Sequence, residues 1–162
     1  LEECVIQATN SFIEMRETEG NRIKQDLFVR INKVEELVNS IFKYSTGLID
    51  QYVVKLKDRI KEMLQTDIVD EARISQEVVL YADKTSIEEE ITRLKSHIVQ
   101  FKELLQSESI KKAGKRLDFI IQEMNREVNT IGSKSNCLEI TNLVIELKTE
   151  LEDVREQVQN IE

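Results

Sequence analysis

The sequence predicts an all-α protein, and three observations carry that expectation. It contains no proline in 162 residues, where average usage would give roughly eight. It is 33% charged and only 5% aromatic, a composition that suits helices with solvated outer faces. Its apolar residues recur at three- and four-residue steps in one stripe after another, the period of a helix that buries one face. The expected architecture is a long antiparallel arm formed by the first and last helices, about 1–43 and 137–162, plus a compact cluster of shorter helices over about 48–134.

In chain order, the first helix carries Leu1, Val5, Ala8, Phe12 and Met15, then Leu27, Ile31, Val34, Val38 and Ile41. Between these two runs, MRETEGN puts Glu19 where an apolar residue belongs. A kink at Gly20, a stretch that protrudes beyond its neighbours, or a polar site on the inner face would each account for it. Gly47 breaks the pattern before a second helix over about 48–65, basic through Lys55, Lys57, Arg59 and Lys61. A third helix runs over about 69–82, with Asp67 or Asp70 as its cap. Ser86 and Glu89 form a capping box that opens a fourth. Its stripe is Ile87, Ile91, Leu94, Ile98, Phe101 and Leu105, with Glu90, Arg93 and His97 along one flank.

The fifth helix, over about 114–131, is the unusual one. Leu117, Ile120, Ile121, Met124, Val128 and Ile131 make its buried face. The opposite side holds Gln122, Asn125, Arg126, Asn129 and Ser133, with Phe119 among them. Two mid-helix asparagines cost helix stability, and the like-charged Glu123 and Glu127 one turn apart add to that cost. A face this unfavourable points to a function. Gly132 is expected to end the helix in a left-handed cap. Ser135 or Asn136 then caps a last helix with Ile140, Val144, Leu147, Leu151, Val154, Val158 and Ile161 in steady 4-3 spacing.

Several chemistries are excluded by residue count and spacing. The single His rules out an HExxH metalloprotease, and Cys4 and Cys137 are too far apart for a zinc-finger ligand set. They suggest no disulfide framework either, which favours a reducing cytoplasm. The longest apolar run, Val78 to Ala82, is far too short to span a membrane. No P-loop or nucleophile elbow is present. The net charge of −8 disfavours indiscriminate nucleic-acid binding but leaves room for a local basic site.

What remains is carboxylates, arginines, lysines and one imidazole on neighbouring helices. Lys111, Lys112, Lys115 and Arg116 gather at the start of the fifth helix, where the dipole disfavours cations, and Lys134 stands beside the next helix N-terminus. They are the expected phosphate contacts, with solubility as the plain alternative. Glu123 and Glu127 can converge on a hard divalent ion such as magnesium or manganese, with Glu90 or Glu77 as a third carboxylate. Alternatively, each of the pair meets a basic residue on another helix. A route without metal uses His97 as general acid or base and Arg93 or Arg126 to meet the developing charge. The expected catalytic set is therefore His97, Arg93, Arg126 and Glu77, beside a metal set of Glu123, Glu127 and Glu90.

The segment GKRLDFIIQEMNREVNTIGSKS closely resembles the signature of the YicC/YloC family of bacterial proteins. So do MRETEG, DEARISQEV, ADKTSIEEEITRLKSHI and ELKTELEDVREQVQNIE, in the family's order across almost the whole chain. Family members begin with a separate N-terminal domain, so residues 1–162 are expected to be a single all-helical C-terminal domain. The resemblance implies a metal-dependent endoribonuclease acting on single-stranded RNA, and a homo-oligomer assembled as a ring- or clamp-like hexamer. The rival expectation is a non-catalytic helical module that drives oligomerisation and supports an RNA-binding N-terminal domain.

Overall fold

A computed structural model of the chain describes residues 2–64, 71–107 and 110–159. Among these, every regular element is an α-helix, and the all-α expectation holds. They are α1 (Glu2–Ser45), α2 (Leu48–Leu64), α3 (Glu71–Thr85), α4 (Glu88–Ser107), α5 (Ile110–Lys134) and α6 (Leu138–Gln159).

The second half of α1 runs antiparallel to α6, as the matching heptad stripes require. Leu27, Ile31, Val34, Val38 and Ile41 face Ile140, Val144, Leu147, Leu151, Val154 and Val158, and all are buried. A polar clamp sets the register. The buried carboxylate of Glu150 accepts from Lys33 Nζ at 2.7 Å and from Arg30 Nη1 at 3.4 Å, and Arg30 also reaches Asp153 at 2.9 Å. The hydrogen bond from Arg30 to Asp26, and then that to Asp153, hold the guanidinium above its ordinary pKa.

The grouping of helices differs from an arm set apart from a cluster. α4 and α5 pack on each other, α4 also on α1 and α5 also on α6, so the four share one core. Lys102 pairs with Glu35 at 2.7 Å and Lys95 lies over the Phe42 ring at 4.9 Å. Rising numbers on α1 thus meet falling numbers on α4, and every neighbouring pair is antiparallel. The result is a four-helix bundle. α2 and α3 pack on each other as a helical hairpin inserted between α1 and α4, with the Tyr52 and Tyr81 rings stacked 3.6 Å apart. The physical reason is area: α4 buries an apolar stripe from Ile91 to Leu105 and α5 one from Ala113 to Ile131, and the α1–α6 face is long enough to cover them.

Residues 3–22 of α1 continue past the bundle. All are exposed except the half-buried Gly20, and the helix runs through that glycine unbroken. The protruding stretch is therefore the reading of MRETEGN that the structure supports, and no described residue covers Val5, Phe12 and Met15.

Helix ends show small departures. Ser45 Oγ and Thr46 Oγ1 each bond a carbonyl in the last turn of α1, at 2.8 Å, satisfying groups the helix cannot pair internally. α4 starts one residue later than the Ser86 cap implies, because the Ile87 carbonyl takes the first helical bond, from Ile91 at 3.0 Å. α6 likewise starts later than a Ser135 or Asn136 cap implies: the Cys137 carbonyl takes the first helical bond, from Thr141 at 3.0 Å, and Ser135 Oγ accepts from Cys137 N at 3.3 Å just ahead of it. Asp67 and Asp70 lie outside the described residues. Gly132 is not a left-handed cap: α5 continues to Lys134, and a Cβ at Gly132 would stand 3.1 Å from Val144 Cγ1. The glycine is there so that α6 can approach.

Candidate functional site

The candidate site is built along α5 and divides into three strips. The first is the crest, the side turned away from the bundle. Lys115, Phe119, Gln122, Arg126, Asn129 and Ser133 stand three or four residues apart and are all exposed, as is Arg116. From Lys115 to Ser133 the crest runs about 27 Å at 1.5 Å per residue. None of the exposed described residues of α5 is a carboxylate. In a chain of net charge −8, that segregation leaves a local surface of positive and amide groups.

The second strip is the seam between α4 and α5, where the carboxylates have gone. Glu90 is buried and accepts from Lys134 Nζ at 2.6 Å, while its Oε2 is buried without a partner. Glu127 is buried and meets Arg93 Nη1 at 3.7 Å, and Arg93 also bonds the exposed Glu89 one turn back. These contacts fix the antiparallel register of the hairpin. One further turn along α4 places His97 level with Glu123 on α5. His97 is half-buried, and its Nδ1 is enclosed with no hydrogen-bond partner. An enclosed ring nitrogen without a partner forgoes roughly 1–3 kcal/mol of solvation.

The third strip is a shallow depression between α5 and α6. Gln122, Asn125, Arg126 and Asn129 form one wall, and Arg155 with Glu152, paired to it at 3.7 Å, forms the other. Asp118 holds Gln122 Nε2 at 2.7 Å and Arg155 Nε at 3.4 Å, so the walls are tied together at one end. The mid-helix asparagines that weaken α5 both line this depression. On the α4 side, Lys115, Phe119 and Ile120 line a larger groove with Gln100, Glu103 and Leu104.

The predicted residues are thus only partly brought together. His97, Arg93, Glu90, Glu127 and Lys134 share the α4–α5 seam, and Glu123 lies half-buried along it. Arg126, one step round the helix, belongs to the α5–α6 depression and does not join Arg93. Glu77 is exposed on α3, where its Oε1 accepts from the Tyr52 hydroxyl at 3.5 Å; it serves the hairpin, not the seam. Lys134 directs its charge at Glu90. Lys111 and Lys112 fall within α5, but their side chains lie outside the described residues.

The donor set does not suit a divalent ion within one chain. Glu90 and Glu127 each face a cation, so for Glu127 the pairing alternative holds. Among the described residues, no three His, Cys, Asp or Glu side chains are grouped so that they could hold a metal. Sequence reasoning missed Gln100, Glu103 and Arg155. Each lies on the flank of an apolar stripe, and only the pairing of helices reveals which flank faces α5.

No helix among the described residues is long and apolar enough to cross a membrane. Comparison with known proteins adds relationship to this geometry. Residues 41–162 match the family described as "Endoribonuclease YicC-like, C-terminal". Two curated relatives are both named "Probable endoribonuclease YicC". That of Clostridioides difficile (strain 630) is 49% identical across 100% of this chain and 55% of its own length. That of Haemophilus influenzae (strain ATCC 51907 / DSM 11121 / KW20 / Rd) is 31% identical across 93% of this chain and 51% of its own length. The chain therefore spans about half the length of the curated relatives it matches.

Proposed function

The chain belongs to the YicC-like endoribonuclease family, and on that premise we propose that it takes part in endonucleolytic cleavage of single-stranded RNA, with the crest of α5 as the strand's track. The observation that carries this reading is the sorting of charge on α5. Its carboxylates turn into the seams or are buried, while cations, amides and one aromatic are left facing outward. Phosphates gain from Lys115 and Arg126, and unstacked bases gain from amide donors and acceptors along the same line.

The chemistry assigned to the seam is proton transfer. His97, with Nδ1 enclosed, offers Nε2 to an attacking hydroxyl or to a leaving oxygen. Arg93, one turn before it on the exposed side, would meet charge on the non-bridging phosphate oxygens. No step is routed through a metal, since the buried carboxylates of the seam are paired with cations.

A labelled single strand, incubated with this chain, tests the reading. Cleavage by wild type that falls at least a hundredfold in His97→Ala, with fold preserved, is the expected result. Equal rates for His97→Ala and wild type refute the assignment of His97. Loss of activity on adding chelator, restored by manganese, would show that metal enters through groups other than these.

One observation favours a second reading, that of an oligomerisation module. The apolar stripe of Val5, Phe12 and Met15 is uncovered by any described residue. A self-association that disappears in Phe12→Ser, together with no cleavage by any form of the protein, would favour it.

A further inference from the structure

We propose that Phe119 is the stacking platform of a nucleobase subsite in the groove between α4 and α5; the inference rests on the reading that the α5 crest binds single-stranded RNA. Phe119 is 62% exposed on the otherwise polar crest of α5. It does not belong to the bundle core, which Leu117, Ile120 and Ile121 fill from the other side of the same helix. Burial does not explain this ring, and its neighbours supply what a nucleotide needs.

The groove it borders measures about 590 Å³, inside the range of about 300–1,000 Å³ typical of small-molecule sites. Leu104 and Ile120 make an apolar floor, Lys115 stands one turn before Phe119, and Gln100 and Glu103 line the wall on α4. The charges orient the occupant. Glu103 repels phosphate from the α4 wall, so the phosphate lies towards Lys115 and the base towards Phe119. Gln100 and Glu103 then face the edge of the base, where the amide donates or accepts and the carboxylate accepts from an N–H. A base still stacked in a duplex cannot present its face to the ring, so the subsite selects single strands. The aromatic gives tolerance of base identity because every base has a π-face.

The chain contains no tryptophan, so Phe119→Trp introduces a single reporter fluorophore at the site. In the full chain, Phe119→Ala should weaken binding of a labelled single-stranded RNA about tenfold. It should leave the salt slope and the melting temperature unchanged. The same substitution should not alter binding of a strand whose bases have been removed. Phe119→Trp should bind as wild type, and its emission should be quenched by single-stranded RNA but not by a duplex or the abasic strand. If Phe119→Ala binds the base-bearing strand as wild type does, while Lys115→Gln is weakened, the subsite is refuted and the RNA track stands. Quenching by duplex and single strand alike also refutes it. If wild type binds no single strand at all, the track fails and the subsite fails with it.

Discussion

Lys134 Nζ lies 2.6 Å from Glu90 Oε1, joining the last turn of α5 to the first turn of α4. Glu90 is buried and has no other partner among the described residues, so the ammonium is what allows a carboxylate at that depth. The pair closes the seam at the end where the α4–α5 hairpin is furthest from its own connection.

Removing the ammonium should therefore act on stability. Lys134→Ala is expected to cost about 1–3 kcal/mol in denaturant unfolding, since it strands a buried carboxylate. Adding Glu90→Leu should recover much of that loss. RNA binding at a temperature where both variants are folded should be unchanged. A binding defect in Lys134→Ala without a stability defect would return this lysine to the residues that meet phosphate.

Crest cations should behave in the opposite way. Lys115→Gln and Arg126→Gln, both exposed, are expected to leave unfolding within about 0.5 kcal/mol of wild type. Each should lower single-stranded RNA affinity and reduce the salt slope by about 0.7 for every phosphate it no longer neutralises. Lys55→Gln with Lys57→Gln on α2 is the control for charge alone. An equal weakening in that control would mean that total charge, and not the α5 crest, governs binding.

The boundary of the family match cuts through α1, and the core does not respect it. Leu27, Ile31, Val34, Leu37 and Val38 all precede residue 41 and are all buried in the bundle. At about 1.5–3 kcal/mol for each buried aliphatic, their removal costs as much as a domain's entire stability of about 5–15 kcal/mol. Residues 41–162 alone should give no cooperative melting transition. Residues 21–162 should melt within a few degrees of the full chain, and a cooperative transition in the shorter piece would show the bundle assignment to be wrong.

Tyr52 gives a pH-dependent readout of the hairpin. Burial, and then the Glu77 carboxylate, push its phenol above the usual range. A raised pKa means the folded state favours the neutral phenol. That contribution is complete below about pH 10 and disappears as pH rises through the folded value. Absorbance titration should show one phenol ionising late, and Glu77→Gln should bring it part of the way back. If Glu77→Gln leaves the titration curve unchanged, the Tyr52–Glu77 hydrogen bond is not formed in solution.

The helices are legible in the sequence because burial of one face sets their period. Leu27 through Ile41, and Ile140 through Val158, are stripes visible in the sequence and covered in the fold, whereas Val5, Phe12 and Met15 keep the same period on a stretch that no described residue covers. Pairing is less legible, since a stripe states that a face is buried and not which helix buries it. On sequence grounds α4 and α5 therefore fit a separate cluster as well as they fit the bundle. The site meets the same limit one level further on. Glu90, Glu123 and Glu127 suit a metal set or an ion-pair set equally well until α4 places Arg93 beside Glu127. Gly132 looks like a device of its own helix's backbone, whereas the neighbour that explains it, Val144, lies on another helix. What can be read on one helix is the sorting of side chains on α5, and it remains the strongest pointer to function.

A single uninterrupted helix, α1, has two environments along its length, and time is the variable that separates them. Amides beyond Leu27 can exchange with deuterium only when the bundle opens, on the timescale of global unfolding. Amides of residues 3–22 are held only by a helix that no described residue covers, a marginal arrangement in water, and should exchange orders of magnitude faster. Slow exchange in that front stretch could come only from another surface laid against Val5, Phe12 and Met15. The step in protection along α1 would then move with protein concentration, so one helix would report folding at one end and assembly at the other.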